Sequence, residues 1–573
     1  MKILLVDVSS PIALAMNALG HATEELRPPR GLVSLSRLLK QLADRGFVPD
    51  LLVQQESLGQ RLYLTGLKNA PCPTIFFAID SHLNLFWHQW YGRLFDAVLT
   101  PHLSLFEALP ADCALPSVTR MAWFGQARQW RSHESRARFM GLCARRTEHR
   151  PLRENFILLL EPRGLKCVEG LDNAAMMALY DDSRLVPNEC IAWESNFRLL
   201  EAASAGCCVL TPDVGEDQNA LLEPGKECLV WHDGLDLLDH VAWAKMRPTP
   251  VEKIGRAAFA RINACHLPEH RARALLDTAR GLPRNRLDGL AARLALWLTA
   301  AKQSRNGTFP LNIAEHATVG LHLLEAASAP ENLSADARSL VFHSLAQCIL
   351  LLAVSPKTTP EAMTLARALA AGQFGTQSAE HIETASVASA LALREGDFSL
   401  ARFFWMRCPD CRHANGAGQH IQNIPNDAAQ LCCRWAAALR RSGRTAQVGF
   451  CFQPDKGALP ECALEYLHFA KSFLPAGEEG DRTRKHILVL ERDMTALPVH
   501  LGRHMHTLDA LCALEPGNWR LRLSYGMTCI KACLAEEGVC LIAEARRTAQ
   551  AVGQEQRFTA LLRGQGCSVE ALL

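Results

Sequence analysis

The sequence predicts an α/β fold followed by an all-α region. Two Rossmann-like domains are expected at residues 1–135 and 136–283, and a helical-repeat domain at residues 284–573. Short apolar runs alternate with helical patterns in each of the first two segments, which is typical of parallel α/β structure. Strand signals nearly vanish after about residue 285. At about 150 residues per domain, the chain length corresponds to three or four domains, in agreement with this division.

The composition is that of a globular protein without a strong polyelectrolyte partner. Apolar residues make up 49% and charged residues 21%, and the net charge is only +2, so nucleic-acid binding is not expected. Residues 1–7 predict a buried strand and not a signal peptide. We expect no membrane span, because no apolar run approaches about 20 residues. The 21 cysteines lie mostly in apolar runs, which favours free thiols and a cytoplasmic location.

Four strands and one helix are predicted in the first domain. Leucines from Leu32 to Leu42 recur at intervals of three and four and mark one face of a helix, which Gly46 ends. The predicted strands are short apolar runs: Ile3–Val8, Asp50–Gln54, Thr74–Ile79 and Ala97–Leu99. No glycine-rich loop follows the first strand, so no redox cofactor is indicated, and we expect none.

The second domain begins near Phe139 and carries a more informative stretch between residues 179 and 231. An Ala-rich helix from Phe197 closes at Gly206 and is followed at once by a strand. Further predicted elements are strands at Phe156–Leu160, Cys207–Thr211 and Cys228–Trp231 and a helix at Leu235–Ala244.

The third segment consists of helix-like runs separated by turn signals such as Glu395-Gly396-Asp397. The stretch from Leu514 to Gly526 resembles the start of a tetratricopeptide unit, although no strict 34-residue period is visible. Helical repeats form long concave surfaces, so a protein or glycan partner is expected to bind there.

Glu194, Arg198 and Glu201 surround the start of the Ala-rich helix. Arg198 and Glu201 are three residues apart and share a helix face, so both side chains can reach one ligand. An arginine suits a phosphate, and a carboxylate suits two neighbouring sugar hydroxyls. The alternative interpretation is an ordinary surface pair at positions i and i+3.

The segment from Asn196 to Thr211, with Leu221 to Trp231, resembles the C-terminal domain of GT-B glycosyltransferases, and the spore-maturation (CgeB-like) branch in particular. The resemblance covers about residues 139–280. It implies a nucleotide-sugar donor, a ribose held by Glu201, and Arg198 lining the same site. Asn188 falls where that branch has a Leu-Asn pair. His266 and Arg271 resemble its closing helix.

Two further features of that branch concern the phosphates. Gly141 resembles a glycine that opens the second domain's loop and lets the backbone approach a phosphate, with Arg145 and Arg146 neutralising the charge. The alternative is a strand end followed by a solvated basic stretch. The wider family often carries two glutamates eight positions apart, whereas Trp193 occupies that position here, with Glu194 beside it. Transfer in such a cleft usually requires no metal.

Asp80 and His82 follow the third predicted strand, where a base for the acceptor hydroxyl is expected. The stretch resembles an Asp-Ser-His-like segment of the same branch. Alternatively, Asp80 caps the next helix, and His88 packs against its neighbouring tryptophans.

One cluster has metal-like spacing: Cys408 and Cys411, with His413 and His420 following. A tetrahedral zinc site is one interpretation, and chance in a cysteine-rich region is the other. The sequence as a whole therefore predicts a glycosyltransferase with an unknown acceptor. The alternatives are a non-catalytic helical scaffold that retains a degenerate GT-B module and a nucleotide-sugar epimerase.

Overall fold

The computed structural model describes most of the chain: residues 1–57, 59, 61–115, 117–147, 150–190, 192, 194–284, 287–305, 312–327, 333–412, 424–447, 452–495 and 498–564. These residues group into two compact units. The first unit comprises residues 1–121 and 272–487, and the second comprises residues 122–271 and 488–573. The helical segment is thus divided between the units, which differs from the expected single block at 284–573.

The N-terminal part of the first unit is an α/β layer. Its strands are β1 (Lys2–Val6), β2 (Ala22–Leu26), β3 (Gly31–Ser34), β4 (Leu51–Gln55), β5 (Leu62–Thr65), β6 (Thr74–Phe77), β7 (Ala97–Thr100) and β8 (Val118–Arg120). Its helices are α1 (Ser10–Ala18), α2 (Leu35–Ala43), α3 (Ser81–Tyr91) and α4 (Leu103–Glu107).

Six of these strands form one parallel sheet in the order β2-β1-β4-β6-β7-β8, and β3 pairs with β5. The four predicted strands are confirmed to within two residues at each end. The predicted helix over Leu32–Leu42 begins later, because Leu32 lies in β3 and Ser34 caps α2. Strands β2, β3, β5 and β8 escaped prediction. Of these, β2, β3 and β8 are only partly buried and carry no long apolar run.

The second unit has its own parallel sheet. Its strands are β9 (Arg138–Cys143), β10 (Leu165–Val168), β11 (Ser183–Pro187), β12 (Cys208–Pro212) and β13 (Leu229–Trp231), in the order β10-β9-β11-β12-β13. Its helices up to residue 279 are α5 (Pro151–Leu160), α6 (Asn173–Asp181), α7 (Phe197–Ser204), α8 (Glu216–Asn219), α9 (Gly234–Met246), α10 (Pro248–Cys265) and α11 (Pro268–Ala279), whose last residues belong to the first unit.

The strand predicted at Phe156–Leu160 is wrong, because these residues form the end of α5. Pro151 starts that helix, and a short apolar run by itself does not distinguish a buried helix from a strand. The Ala-rich helix α7 and the strand β12 that follows it are confirmed, whereas β11, which precedes the helix, was not predicted. Gly206 follows α7 with φ at 74°, a left-handed conformation that glycine adopts readily at a helix end.

The C-terminal region is helical. In chain order its helices are α12 (Gly289–Arg305), α13 (Ile313–Glu325), α14 (Ala335–Leu352), α15 (Thr359–Ala370), α16 (Ile382–Arg394), α17 (Phe398–Arg407), α18 (Pro409–Arg412), α19 (Ala428–Arg441), α20 (Ala463–Ala470), α21 (Glu478–Thr495), α22 (Leu501–Leu514), α23 (Trp519–Lys531), α24 (Ala535–Ala551) and α25 (Glu555–Gly564).

Consecutive helices pack closely in this region. A Cβ atom added to Gly526 of α23 would lie only 2.8 Å from the carbonyl oxygen of Gly538 in α24, so the two backbones approach as directly as glycine allows. Leu235 of α9 shares a core with residues of α23 to α25, which joins these last helices to the second sheet within one unit. Whether the helices form a true repeat stays a prediction.

Among the described residues, one helix is long and apolar enough to cross a membrane. It is α14, with a mean hydropathy of 1.2, but 78% of it is buried inside the protein, as expected of a core helix. The described cysteines are free thiols.

Candidate functional site

The second sheet reverses its strand order between β9 and β11. In open parallel sheets of this order, ligands bind at such a switch point, just beyond the carboxyl ends of the two strands. Here those ends are Cys143 of β9 and Pro187 of β11, with Asn188 next along the chain. The candidate donor site is therefore built from the residues that surround these two strand ends.

Arg198 spans this switch point from the first turn of α7. Its Nη1 donates to Oδ1 of Asn188 at 2.8 Å, and its Nη2 donates to the carbonyl oxygen of Cys143 at 3.3 Å. Because one end of the guanidinium contacts the β11 side and the other contacts the β9 side, the side chain is fixed in place at the switch point.

The charge of Arg198 has no ion-pair partner among the described residues. The oxygens that accept its hydrogen bonds belong to an amide side chain and to backbone carbonyls, and its Nε is buried without a partner. Burial lowers the pKa of Arg198, but Tyr180 and Glu189 outweigh it and raise the pKa above its usual value. A shielded cation with neutral acceptors is suited to an anionic ligand.

Glu201 lies one turn further along α7 and is half-buried. No described residue donates a hydrogen bond to its carboxylate, and no salt bridge joins it to Arg198, so the expected alternative of a surface pair is not formed. Burial raises the pKa of Glu201, and Arg198 opposes this effect. The carboxylate oxygens remain available as acceptors for hydroxyl groups of a ligand.

Asn188 lies beneath these two residues and is fully buried. Its Oδ1 accepts from Asn196 at 3.0 Å as well as from Arg198, and its Nδ2 donates to Oγ1 of Thr211 at 3.1 Å. Thr211 in turn donates to Gln218 at 3.0 Å. The structure thus brings Asn188 and Arg198 together, with Asn188 holding the arginine rather than facing solvent.

The placement of Gly141 differs from the expectation. It lies inside β9 and not in a loop, so the prediction that it opens a phosphate-binding loop is wrong in its location. A Cβ atom at this position would come within 2.2 Å of Oγ of Ser183 in the neighbouring strand. Close packing between β9 and β11 therefore accounts for the glycine.

Arg145 lies in the loop that follows β9, and its side chain is exposed with no described partner. Arg146 contacts three carboxylates: Glu154 at 3.0 Å, Glu169 at 3.8 Å and Glu161. Of the two predicted arginines, only Arg145 makes no ion pair with a described residue.

Glu194 lies in the segment between β11 and α7 and is half-buried. Burial lowers the pKa of Arg150, and the charges of Glu189 and Glu194 act in the opposite direction. Trp193, which occupies the position of the missing glutamate, lies outside the described residues.

Two further basic residues at this edge were not singled out from the sequence. Arg153 of α5 forms a buried ion pair with Glu189 at 2.7 Å, and Arg150 immediately precedes that helix. The sequence could have indicated them, because both arginines follow β9 closely and flank Pro151, a residue typical of the start of a helix. Because Glu189 neutralises Arg153, the positive charge at the carboxyl end of β9 comes from Arg145 and Arg150.

His266 and Arg271 lie near the C-terminal end of the second α/β domain and hydrogen-bond to each other and to its first residues. Nη2 of Arg271 lies 2.7 Å from Nδ1 of His266, and its Nε donates to the carbonyl oxygens of Ala122 and Trp123, both at 2.8 Å. Burial, with the charge of Arg271, lowers the pKa of His266 to about 4. His266 and Arg271 therefore have a structural role: they connect the start of α11 to the segment at Ala122 and Trp123.

The first sheet has its own switch point, between β1 and β4. Asp7 follows β1 with φ at 55°, an uncommon conformation for a residue other than glycine. Its carboxylate contacts both Arg30 and Ser57, and the second oxygen is buried without a partner. From the sequence, Asp7 is only the residue at the end of the first predicted strand.

Glu56 follows β4 and is the central acceptor of this edge. It accepts from the backbone N–H groups of Ile79 at 2.9 Å and Asp80 at 2.7 Å and from the side chain of Asn84 at 2.8 Å. Burial alone would raise the pKa of Glu56, but His88, Arg61 and the Asp80 N–H together lower it to about 2. No motif indicated this residue, because its partners come from three separate segments.

Asp80 and His82 lie at the same edge, around the start of α3. Asp80 occupies the capping position, but its side chain makes no capping hydrogen bond. His82 is buried, with its ring 5.0 Å from that of His102. His88 is fully buried, 3.3 Å from Glu56 and 3.1 Å from Oγ of Ser81, and burial lowers its pKa, as expected of a packed histidine.

The predicted zinc cluster is described only in part. Cys408 and Cys411 are both buried. His413 and His420 lie outside the described residues, so this interpretation stays a prediction.

Several solved structures resemble about half of this chain. Sucrose-phosphate synthase from Thermosynechococcus elongatus is 10% identical, with a TM-score of 0.35, over 49% of this chain and 99% of its own. Anabaena HepE, solved in complex with UDP and glucose, is 14% identical, with a TM-score of 0.35, over 49% of this chain and 100% of its own. Because these identities and TM-scores are low, site residues are not transferred from these structures and are assigned from the contacts of this chain alone.

No curated protein matches the sequence with significance. Residues 136–277, about a quarter of the chain, match a family model described as glycosyl transferase-like. This range contains the whole second sheet and the switch point described above. The segment that carries Asn188, Arg198 and Glu201 is thus glycosyltransferase-like in sequence.

Proposed function

We propose that the protein is a glycosyltransferase of the GT-B type that moves a sugar from a nucleotide-sugar donor to an acceptor. One observation carries the proposal. Arg198, fixed across the β9–β11 switch point, has a shielded charge without an ion-pair partner among the described residues. A diphosphate bound there would supply the missing negative charge.

Each part of the donor has a candidate partner. Arg198 would bind a phosphate, and the exposed Arg145 and the neighbouring Arg150 would add positive charge around the diphosphate. The carboxylate of Glu201 would accept hydrogen bonds from the ribose hydroxyls. Glu194 is proposed near the sugar end. Because three arginines are at hand, we propose transfer that does not depend on a metal ion.

The reaction would be a displacement at the anomeric carbon of the sugar. A bond forms between the acceptor oxygen and that carbon, the bond to the diphosphate oxygen breaks, and the nucleoside diphosphate leaves. A base takes the acceptor's proton. Asp80 and His82 are proposed for this role because they lie at the carboxyl edge of the first sheet.

UDP is the first donor nucleotide to try, because structures of HepE were solved with UDP and with UDP-glucose. The acceptor is proposed to be a protein or a glycan that contacts the helical region. The CgeB-like and tetratricopeptide-like resemblances and a cytoplasmic location, which the free cysteines favour, belong to the same proposal. A scaffold without ligand would leave Arg198 without an ion-pair partner among the described residues, which is why that alternative is not favoured.

Incubation of the purified chain with a panel of sugar nucleotides tests the proposal. Release of a nucleoside diphosphate, followed by mass spectrometry of the sugar product, is the expected result for a transferase that also hydrolyses its donor slowly. Isomerised donor with no release would indicate an epimerase instead. No reaction and no thermal stabilisation with any donor would leave only the scaffold.

A further inference from the structure

A second polar cluster, in the first unit, has no part in the proposed transfer. Asp112 and Cys113 follow α4, and His343 lies in the middle of α14. One ligand-type atom from each of these three side chains lies within 4.8 Å of the other two. Cys113 and His343 are buried, and Asp112 is partly exposed.

The distances fit a metal ion. Nε2 of His343 lies 3.1 Å from Oδ2 of Asp112 and 3.8 Å from Sγ of Cys113. Ligands held tetrahedrally about 2.0 Å from zinc through nitrogen or oxygen, and about 2.3 Å through sulfur, lie about 3.3 to 3.6 Å from one another. The two separations from His343 differ from these values by only a few tenths of an ångström, and the third pair, Asp112 with Cys113, lies within 4.8 Å.

The other ring nitrogen of His343 gives an independent indication. Oε2 of Glu383 lies 2.6 Å from Nδ1 of His343. Metal-bound histidines commonly donate this second N–H to a carboxylate, which fixes the tautomer and directs the lone pair of the opposite nitrogen at the metal. Glu383 is the carboxylate placed to orient Nε2 of His343 in this way, although its present contact with Nδ1 is a close charged contact without hydrogen-bond geometry.

The loop that carries the acidic ligand is held in place. The carbonyl oxygen of Asp112 accepts from Arg93 at 2.7 Å and from Ser339 at 2.9 Å. Two further groups contact Oδ2 of Asp112: His381 at 3.1 Å and Arg444 at 2.7 Å. Asp112 is therefore preorganised by contacts with four other segments of the unit.

We propose that Asp112, Cys113 and His343 bind a zinc ion, with Glu383 as the carboxylate that orients His343. Nitrogen, oxygen and thiolate donors in one site favour zinc over magnesium or calcium. The fourth position is left to water or to His381. The role is structural, because the ion would join the loop after α4 to helix α14.

The charges balance with the ion present. Asp112, Glu383 and the thiolate of Cys113 would carry three negative charges, which offset a divalent ion and Arg444, while Lys302, 3.6 Å from Glu383, is paired more closely with Glu461 at 2.5 Å. Without metal, the same groups balance if His343 is protonated and Cys113 is a neutral thiol. That metal-free charge network is the alternative, and the experiment must separate the two.

The full chain, purified without chelator, is analysed for metal by mass spectrometry. We expect about one zinc ion per chain, lost in Cys113→Ala and kept in Cys72→Ala, which removes another buried thiol of the same unit. Cobalt substitution gives a second readout, since a thiolate-to-cobalt absorption band should appear in the wild type and the Cys72 variant and be absent without Cys113.

The melting temperature of the wild type provides a test that does not depend on whether the variants fold. A zinc chelator should lower the melting temperature, and added zinc should restore it. Purified protein without zinc, whose melting temperature neither chelator nor zinc changes, would overturn the proposal in favour of the charge network. A cobalt–thiolate band of undiminished intensity in Cys113→Ala would also overturn it.

Discussion

Nη1 of Arg198 lies 2.8 Å from Oδ1 of Asn188, and this hydrogen bond connects helix α7 to the end of strand β11. The amide also joins Asn196 and Thr211, so one buried side chain holds the loop, the helix and the next strand together. The position of the arginine's charge is thereby set by an uncharged residue that does not itself face solvent.

Asn188→Ala should weaken both the fold and nucleotide binding. The substitution leaves Arg198 and Asn196 without a buried acceptor, which costs about 1–3 kcal/mol of unfolding free energy. Chemical denaturation and nucleotide titration measure the two effects. Asn219→Ala, at the exposed end of α8, is the matched control and should change neither. A wild-type affinity in Asn188→Ala would show that the hydrogen bond does not position Arg198.

Glu201→Gln should stabilise the protein at neutral pH although it removes a charge from the proposed site. Burial raises the pKa of Glu201 in the folded state, so ionisation opposes folding at any pH above that pKa. This destabilisation disappears as the pH falls towards the pKa of an unfolded glutamate. The difference in unfolding free energy between variant and wild type should therefore be largest near neutral pH and shrink below it. A variant less stable than the wild type at pH 7 would contradict the burial described here.

Gly141→Ala should destabilise the second sheet through a clash with Ser183. The new methyl group would meet Oγ of Ser183 at 2.2 Å, and overpacking of this kind costs about 1–3 kcal/mol. In the double variant with Ser183→Ala, the nearest atom of residue 183 is Cβ at 3.2 Å, so part of the loss should be recovered. Thermal melts of the single and double variants test this. If the double variant melts no higher than Gly141→Ala, contact with Ser183 is not the cause of the destabilisation.

Asp80→Asn and His82→Ala should lower turnover while donor affinity stays unchanged. A positioned acid or base contributes about 10²- to 10⁴-fold to the rate, and neither residue lies in the unit that is proposed to bind the nucleotide. Initial rates at saturating donor give the effect on turnover, and Asp44→Asn in an exposed turn is the control. Wild-type rates in both variants would remove them from the proposed proton transfer.

The sequence was most informative where one run of residues forms a complete structural unit. Helix α7, the turn at Gly206 and strand β12 follow one another without interruption, and their order and bounds were predictable from apolar periodicity and the glycine stop. Arg198 and Glu201 were singled out because they belong to that run. Edge strand β2, none of whose residues is fully buried, gave no such pattern.

Residues whose importance comes from distant contacts could not be found in the same way. Glu56 has partners at positions 61, 79, 80, 84 and 88, and only the pairing of β4 with β6 brings most of these together. The same is true of Asp112, which contacts residues more than 200 positions away. Gly141 shows the opposite error, in which a family resemblance suggested a loop where close packing of two strands explains the residue.

Direct titration of nucleoside diphosphates, with UDP first, into the wild type and Glu201→Ala tests the donor site most directly. We expect one of them to bind the wild type, and the alanine variant to bind it about 2–4 kcal/mol more weakly, as for loss of a buried charged acceptor. Glu223→Ala, at an exposed turn of the same unit, should bind like the wild type. If no nucleoside diphosphate binds, or if Glu201→Ala binds with unchanged affinity, helix α7 does not hold a nucleotide and the proposed donor site is wrong.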